Sequence, residues 1–198
     1  MLEDLPPLPI ARDAVGTRVL LPAEKVIGGA SNSENVGLYA IFPYRLYGVG
    51  KPDLQLARQT FALRKNKRTT CWYQDPIDAA LLGFNDQAKD DVTINFTHSD
   101  ARFQAFWIGG LDWTPDMDNG GVAMEALQFM LLQCDGRRIQ VLPAWPKEWD
   151  VDFKLHAPYQ TTIEGHVKSG RLIKLAVTPR TRGADVIISD DWSGKPSR

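Results

Sequence analysis

The hydrophobic periodicity of the chain changes after Gly136, and this change restricts the folds available to it. Before Gly136, apolar residues recur every three or four positions, which is the spacing of helices. After it they alternate with polar residues, which is the spacing of strands. We therefore predict an α+β fold in which helices come first along the chain and a small antiparallel β module follows.

Four helices are predicted before this change. The first spans 53–65 and ends in a basic cluster, where the helix dipole favours cations. The second spans 76–83, because an Asp-Pro pair at its start has the form of an N-cap followed by proline at the first helical position. A short turn separates it from the third, 86–98, which predicts a helical hairpin. The fourth, 121–133, is apolar on nearly all sides and is predicted to be buried between other helices.

Outside the four helices, the sequence predicts a region of loops at the N-terminal end and a region of strands after Gly136. Residues 1–50 are rich in Pro and Gly and predict a long ordered connection with little regular structure. The strand pattern then predicts five short strands, at 139–141, 151–155, 161–167, 172–177 and 186–188. The tail, 191–198, is predicted to fray.

Composition excludes two classes of partner. The chain has 198 residues with 23 Lys+Arg against 24 Asp+Glu, a net charge of -1. A nucleic-acid binder needs a clear basic excess, so no nucleic-acid partner is expected. No run approaches the ~20 apolar residues of a spanning helix, so no membrane partner is expected either. Residues 1–7 lack the basic and apolar stretches of a signal peptide.

The two cysteines, Cys71 and Cys134, are too few and too far apart for a disulfide framework or a metal site. They are interpreted as buried or half-buried thiols, and they leave the cellular compartment open. No cofactor and no metal are predicted.

The chemical centre of the sequence is a glycine-bracketed loop that leads into the fourth helix. It carries three carboxylates and two indole rings: Asp112, Asp116, Asp118, Trp107 and Trp113. Three interpretations compete. Asp118, or Asn119 after it, is a helix N-cap; or 116–120 is the start of a calcium loop, although its glycine falls one place early; or the loop is a sugar site. Aromatic faces that stack on a pyranose and a carboxylate near the anomeric carbon are what saccharide chemistry needs.

Two segments carry a resemblance to a known family. Residues 120–133 end in Met-Leu-Leu-Gln, and 139–147 contain Leu-Pro-Ala-Trp-Pro. Together they resemble the closing segment of glycoside hydrolase family 95 catalytic domains, which include α-L-fucosidases. The run Leu-Tyr-Ala-Ile-Phe-Pro at 38–43 is similar to a second run of that family. The likeness covers residues from about 30 to 175, and it implies an (α/α)6 barrel followed by a C-terminal β domain.

The resemblance assigns roles to particular positions. The family aspartate that polarises the water-activating groups of an inverting hydrolysis falls on Asp116, and Asp118 is the alternative holder of that role. Glu34 and Asn35 either order a loop or point into a cleft. Fucosidases of the family grip the sugar with an Arg-His pair where this chain has Ser33 and Glu34. The resemblance therefore implies a related branch that acts on a different sugar.

Length limits the functional prediction. An (α/α)6 barrel needs twelve helices, on the order of 200 residues with their connections, and the family's general acid has no counterpart here. We therefore expect the fold class to be partial (α/α)6-barrel helix pairs followed by a small antiparallel β-sandwich-like module. Residues 1–137 would be the terminal helices and loops of an incomplete barrel, 138–190 the β domain and 191–198 the tail.

Two classes of function follow. The first is the C-terminal fragment of an inverting hydrolase that acts on O-glycosidic bonds of a plant or glycan saccharide. Its partners would be the saccharide substrate and the missing N-terminal part of the barrel, and the fragment alone would be inactive. The second is a noncatalytic carbohydrate-binding or scaffold module that uses Trp107 and Trp113.

Overall fold

A computed structural model describes residues 6–25, 34–97, 99, 102–107 and 114–192. Within these ranges the chain is a mixed α+β protein, as the periodicity predicts, and its helices do not close a barrel. Four α-helices are described: α1 (Leu54–Ala62), α2 (Asp75–Leu81), α3 (Asn85–Thr97) and α4 (Met117–Leu131). All four lie where the apolar spacing places a helix.

The described strands form three small sheets. The strands are β1 (Ile10–Arg12), β2 (Arg18–Leu20), β3 (Leu132–Asp135), β4 (Arg138–Val141), β5 (Val151–Ala157), β6 (Thr161–Lys168), β7 (Arg171–Thr178) and β8 (Val186–Ile188). The first sheet is the hairpin β1-β2, the second has the order β3-β4-β8 and the third β5-β6-β7. Single turns of 3-10 helix occur at Val36–Leu38, Arg180–Asp185 and Asp190–Trp192.

Two features of the strands differ from prediction. The β module is not wholly antiparallel, because β4 and β8 pair in parallel while β3 and β4 pair antiparallel. The hairpin of β1 and β2 lies in a region predicted to have little regular structure. It is attached to α1 by a hydrogen bond of 2.9 Å from the backbone N–H of Leu20 to the hydroxyl of Thr60.

The three helices α2, α3 and α4 pack against one another in pairs. Their contacts are lined by small buried side chains, which let helix axes approach closely; these are Ala79, Ala80, Ala88, Ala123 and Ala126. The same hydrophobic cluster continues into β4 through Ile139 and Val141 and into β6 through Ile163 and Val167. One contiguous core therefore joins the helices to the second and third sheets, while Leu20 of β2 belongs to a separate small cluster with Ala40 and Leu56.

The surface of α4 differs from prediction. The helix is buried along one face only, and its opposite face carries exposed apolar residues: Met117 is 65% exposed and Met124 is 49% exposed. The prediction that α4 lies buried on most sides is therefore wrong for the described residues. No helix within the described ranges has the length and apolarity to cross a membrane.

Near the C-terminus, the ring of Trp192 is buried, with the ammonium of Lys147 3.8 Å from its centroid. Such a cation over an indole face is stabilising. The other residues of the predicted frayed tail, from 193 on, lie outside the described residues.

Candidate functional site

Asp116 occupies the N-cap of α4. Its backbone is extended (φ -89, ψ 96), and its Oδ1 accepts a hydrogen bond of 3.0 Å from the backbone N–H of Asn119. This is the geometry that satisfies a free N–H of the first helical turn. The prediction that Asp118 or Asn119 caps the helix is therefore wrong; Asp118 lies within the first turn of α4 and is exposed.

The second carboxylate oxygen of Asp116 has no partner among the residues that the structure describes. The residue is only 5% exposed, and its Oδ2 is buried without a hydrogen bond. Leaving a buried oxygen unpaired costs about 1–3 kcal/mol, so such groups in folded proteins call for an explanation. Chemically, this oxygen can accept a hydrogen bond from a water or from a bound ligand.

Asn119 connects Asp116 to three other segments. Its Oδ1 accepts a hydrogen bond of 3.0 Å from the backbone N–H of Cys71, and its Nδ2 donates to the carbonyls of Asn95 (2.9 Å) and Ala105 (2.8 Å). The side chain is fully buried. The start of α4 is thus tied to the end of α3, to the loop of 102–107 and to the segment before α2. The sequence predicts for Asn119 no more than a possible cap, so these three contacts are a finding of the structure.

The glycine after Asn119 is required by packing. A Cβ atom on Gly120 would lie 2.0 Å from Cε1 of Phe106, because the phenyl ring rests directly on the helix backbone. The carbonyl of Phe106 also accepts a hydrogen bond of 2.6 Å from the backbone N–H of Asp116. The tryptophan-rich loop is therefore fixed against the first turn of α4 at two places.

Trp107 lies at the surface of this loop. It is 44% exposed, and its ring centroid lies 5.6 Å from that of Phe103, which is also exposed. The guanidinium of Arg102 lies over the Phe103 ring. This arrangement presents an aromatic surface beside the N-terminus of α4. Asp112 and Trp113, the other loop residues predicted for the site, lie outside the described residues.

Asn35 orders a loop. Its Nδ2 donates to the carbonyl of Asn66 at 2.7 Å, and its Oδ1 accepts from the backbone N–H of Asn66 at 3.1 Å. Its Nδ2 also lies 3.5 Å from Oδ1 of Asp75. The neighbouring Glu34 is exposed and accepts a hydrogen bond from the hydroxyl of Tyr39, which raises the pKa of that tyrosine. Both predicted residues also line a small cleft.

This cleft combines carboxylates with aromatic rings. It is lined by Glu34, Asn35, Tyr39, Trp72, Tyr73, Gln74, Asp75 and Asp78. The rings of Trp72 and Tyr73 stack with centroids 5.4 Å apart. Because Trp72 follows Cys71 directly, the hydrogen bond from Cys71 to Asn119 links this cleft to the cap of α4.

Beneath the cleft lies a group of buried carboxyls that the sequence analysis missed. Asp75 pairs with Nε of Arg64 at 2.7 Å, yet burial outweighs that cation and raises the pKa of Asp75. Burial, followed by the negative charge of Asp75, raises the pKa of Asp78 well above its ordinary value. Burial also raises the pKa of Asp91 to about 7, although Nε2 of Gln87 donates to it at 2.8 Å. Desolvation disfavours the charged form of all three.

A sequence signal for these carboxyls exists. Asp91 lies three residues after Ala88 and four before Asn95, both fully buried, so it shares their inward-facing helix surface. No set of three or more His, Cys, Asp or Glu side chains in the described ranges is placed to hold a metal ion.

Comparison with known proteins gives no assignment. No protein-family model matches the chain, and no curated protein matches it significantly.

Proposed function

We propose that the chain is the C-terminal part of a glycoside hydrolase that cleaves an O-glycosidic bond with inversion, and that Asp116 polarises the groups that activate the attacking water. The buried carboxylate of Asp116 carries this proposal. One of its oxygens is held by the first turn of α4 and the other has no partner. A fixed carboxylate with an open acceptor can orient a hydrogen-bonding group for general-base chemistry.

The helices support the architectural half of the proposal, namely that α1 to α4 are terminal helix pairs of an (α/α)6-type barrel. The hairpin of α2 and α3 packs on α4, while the outer face of α4 leaves Met117 and Met124 exposed. Further helix pairs of the same barrel would cover such a face. The N-terminal part of the barrel is therefore the partner that this proposal requires.

An inverting glycosidase works with two carboxyl groups, about 6.5–9.5 Å apart, one of which acts as the general acid. In this proposal the acid comes from the N-terminal part of the barrel. The chain by itself would then bind a saccharide without hydrolysing it, since Asp116 alone supplies only one half of the chemistry.

The test uses the longest product of the gene that contains this chain, assayed on a panel of aryl glycosides. Asp116→Asn keeps an oxygen acceptor for the helix cap but loses the negative charge, so we expect a folded protein with turnover reduced at least about 100-fold. Asp118→Asn tests the alternative holder of this role; because Asp118 is exposed on the same turn, we expect turnover close to that of the parent. Unchanged turnover in Asp116→Asn would overturn the proposal.

One observation favours a second candidate, a noncatalytic carbohydrate-binding or scaffold module. Trp107 is exposed and its ring lies against that of Phe103, as in platforms on which a sugar ring stacks. This candidate predicts that sugars change the tryptophan fluorescence of the chain, that Trp107→Ala removes the change, and that Asp116→Asn leaves it intact. If no sugar of the panel changes the tryptophan fluorescence, the binding-module candidate is wrong.

A further inference from the structure

The cleft between the turn at Val36–Leu38 and the start of α2 is itself a small cavity. Its volume is about 20 Å³. A cavity needs roughly 10–15 Å³ to hold one water molecule. The space therefore accepts one water or one hydroxyl group, and it is too small for a sugar ring.

The carboxyl of Asp78 lines this cavity and is unsatisfied. Asp78 is 2% exposed, and its Oδ1 is buried without a hydrogen-bond partner. The other two carboxyls at the cavity are engaged. Asp75 is bound by Arg64 at 2.7 Å and lies within 3.5 Å of the amide of Asn35. Glu34 accepts a hydrogen bond from Tyr39. Among the described residues, Asp78 is thus the carboxyl at this cavity that lacks a partner, and pairing it would recover the free energy lost on burial.

We infer that the cavity is a specificity subsite that receives one hydroxyl group of the saccharide, which the carboxyl group of Asp78 binds while the sugar ring stays at the mouth beside Tyr39 and Trp72. The inference rests on the proposed function and specifies which substrate feature this part of the site recognises, namely one hydroxyl group.

The direction of the pKa shift of Asp78 agrees with a neutral hydroxyl as the ligand group. Burial, and after it the negative charge of nearby Asp75, raises the pKa of Asp78 well above its ordinary value, which favours the protonated form of the carboxyl. A protonated carboxyl both donates and accepts hydrogen bonds, as a hydroxyl does. It offers little attraction to a metal cation or an ammonium group.

This arrangement discriminates against deoxy sugars. A site that holds a buried polar group for a substrate hydroxyl rejects the analogue without that hydroxyl, because the buried group is again left unpaired. For a single hydrogen bond of this kind we expect a difference of about 10- to 100-fold in affinity.

The experiment measures binding to the chain by titration calorimetry, with pairs of monosaccharides that differ in one hydroxyl: L-galactose and L-fucose, D-galactose and D-fucose, D-glucose and each of its 2- and 6-deoxy forms. We expect the parent to bind the hydroxylated member of at least one pair about 10-fold more tightly or better. Asp78→Leu should remove that preference, and Asp78→Asn, which keeps a hydrogen-bonding side chain, should retain most of it.

Thermal melting separates a specificity role from a structural one. Replacing an unpaired buried polar group by an apolar one of similar size relieves its desolvation cost, so Asp78→Leu should melt no lower than the parent. A lower melting temperature would mean that Asp78 supports the fold, and would overturn the inference.

The outcomes distinguish the inference from the proposed function. If sugars bind but no pair is discriminated, or if Asp78→Leu keeps the preference, the inference fails and the hydrolase proposal stands. If no sugar binds and Asp116→Asn leaves turnover of the longer product intact, the hydrolase proposal fails and the inference fails with it.

Discussion

The backbone N–H of Cys71 donates a hydrogen bond of 3.0 Å to the side-chain oxygen of Asn119. Cys71 has a φ of 62, in the left-handed region that a residue with a Cβ seldom adopts. A conformation of this kind persists only where surrounding contacts hold it. The contact from Asn119 therefore sets the path of the chain from Cys71 into the cleft.

Loss of the Asn119 amide should destabilise the protein strongly. Asn119→Ala removes the partner of three buried backbone groups, on Cys71, Asn95 and Ala105. At about 1 kcal/mol or more for each, the free energy of unfolding should fall by at least about 3 kcal/mol. Urea denaturation measures this free energy. The control is Asp118→Ala, at an exposed position, for which we expect a change below about 0.5 kcal/mol. Equal stabilities for the two variants would contradict this role.

A second pair of variants distinguishes the two properties of Asp116 that could stabilise α4, its hydrogen-bond acceptor and its negative charge. Asp116→Ala removes the cap of α4 and should lower the free energy of unfolding by about 1 kcal/mol. Asp116→Asn keeps an acceptor for the backbone N–H of Asn119 and should stay within about 0.5 kcal/mol of the parent. If both variants lose the same stability, the carboxylate charge and not the cap acceptor is what α4 requires.

Adjacent glycines in α4 should respond in opposite directions to the same substitution. Gly120→Ala places a Cβ in the ring of Phe106 and should destabilise by about 1–3 kcal/mol through overpacking. At Gly121 nothing lies within 4 Å of an added Cβ, so Gly121→Ala should stabilise by about 0.5–1 kcal/mol through the better helix propensity of alanine. Thermal melts of the two variants give the comparison, and the same sign for both would show that Phe106 does not rest on Gly120.

Stability should depend on the protonation of Asp91. Its pKa of about 7 in the folded protein exceeds the ordinary value of 3.8, so the folded state binds more protons than the unfolded state between those values. The contribution of Asp91 to the free energy of unfolding is therefore fully present at low pH, and it is lost as the pH rises toward about 7. Gln87, Asp90, Asp75 and Arg64 are the groups that act on this carboxyl.

Asp91→Asn removes this dependence. Between pH 5 and pH 8, the stability of the variant relative to the parent should rise by about 2–3 kcal/mol. Urea denaturation at several pH values measures the difference. A constant difference across this range would mean that Asp91 titrates at its ordinary value in the folded protein.

The order of the helices and most strands could be predicted because burial imposes a period on the sequence. The strand β3 could not, because Leu132 and Gln133 continue the apolar pattern of α4 without a break. In β1 and β2 the strands have only three residues each, too few for a period to show. The exposure of Met124 is likewise invisible in the sequence, since an apolar residue predicts burial wherever it lies.

The resemblance predicts a catalytic role for Asp116, which stays a prediction, and the structure shows that Asp116 is the N-cap of α4. The cap was assigned two or three residues too late because Asp118 and Asn119 are equally good capping residues. Asp78 and Asp91 were missed for a different reason. An ionisable side chain predicts a solvent-exposed position, and only the finished packing of α2 and α3 against α4 encloses these carboxyls.

The parallel pairing of β8 with β4 has a consequence for synthesis. Ile139 pairs with Val186 and Val141 with Ile188, while β3, on the other side of β4, continues directly from α4. On the ribosome, α1 to α4 leave the tunnel and pack while the sheet that extends α4 still lacks a strand. Until residues 186–188 arrive, the nascent chain carries an open edge along β4 to which another strand could add. Of the described strands, the last to be made is the one that covers this edge of β4.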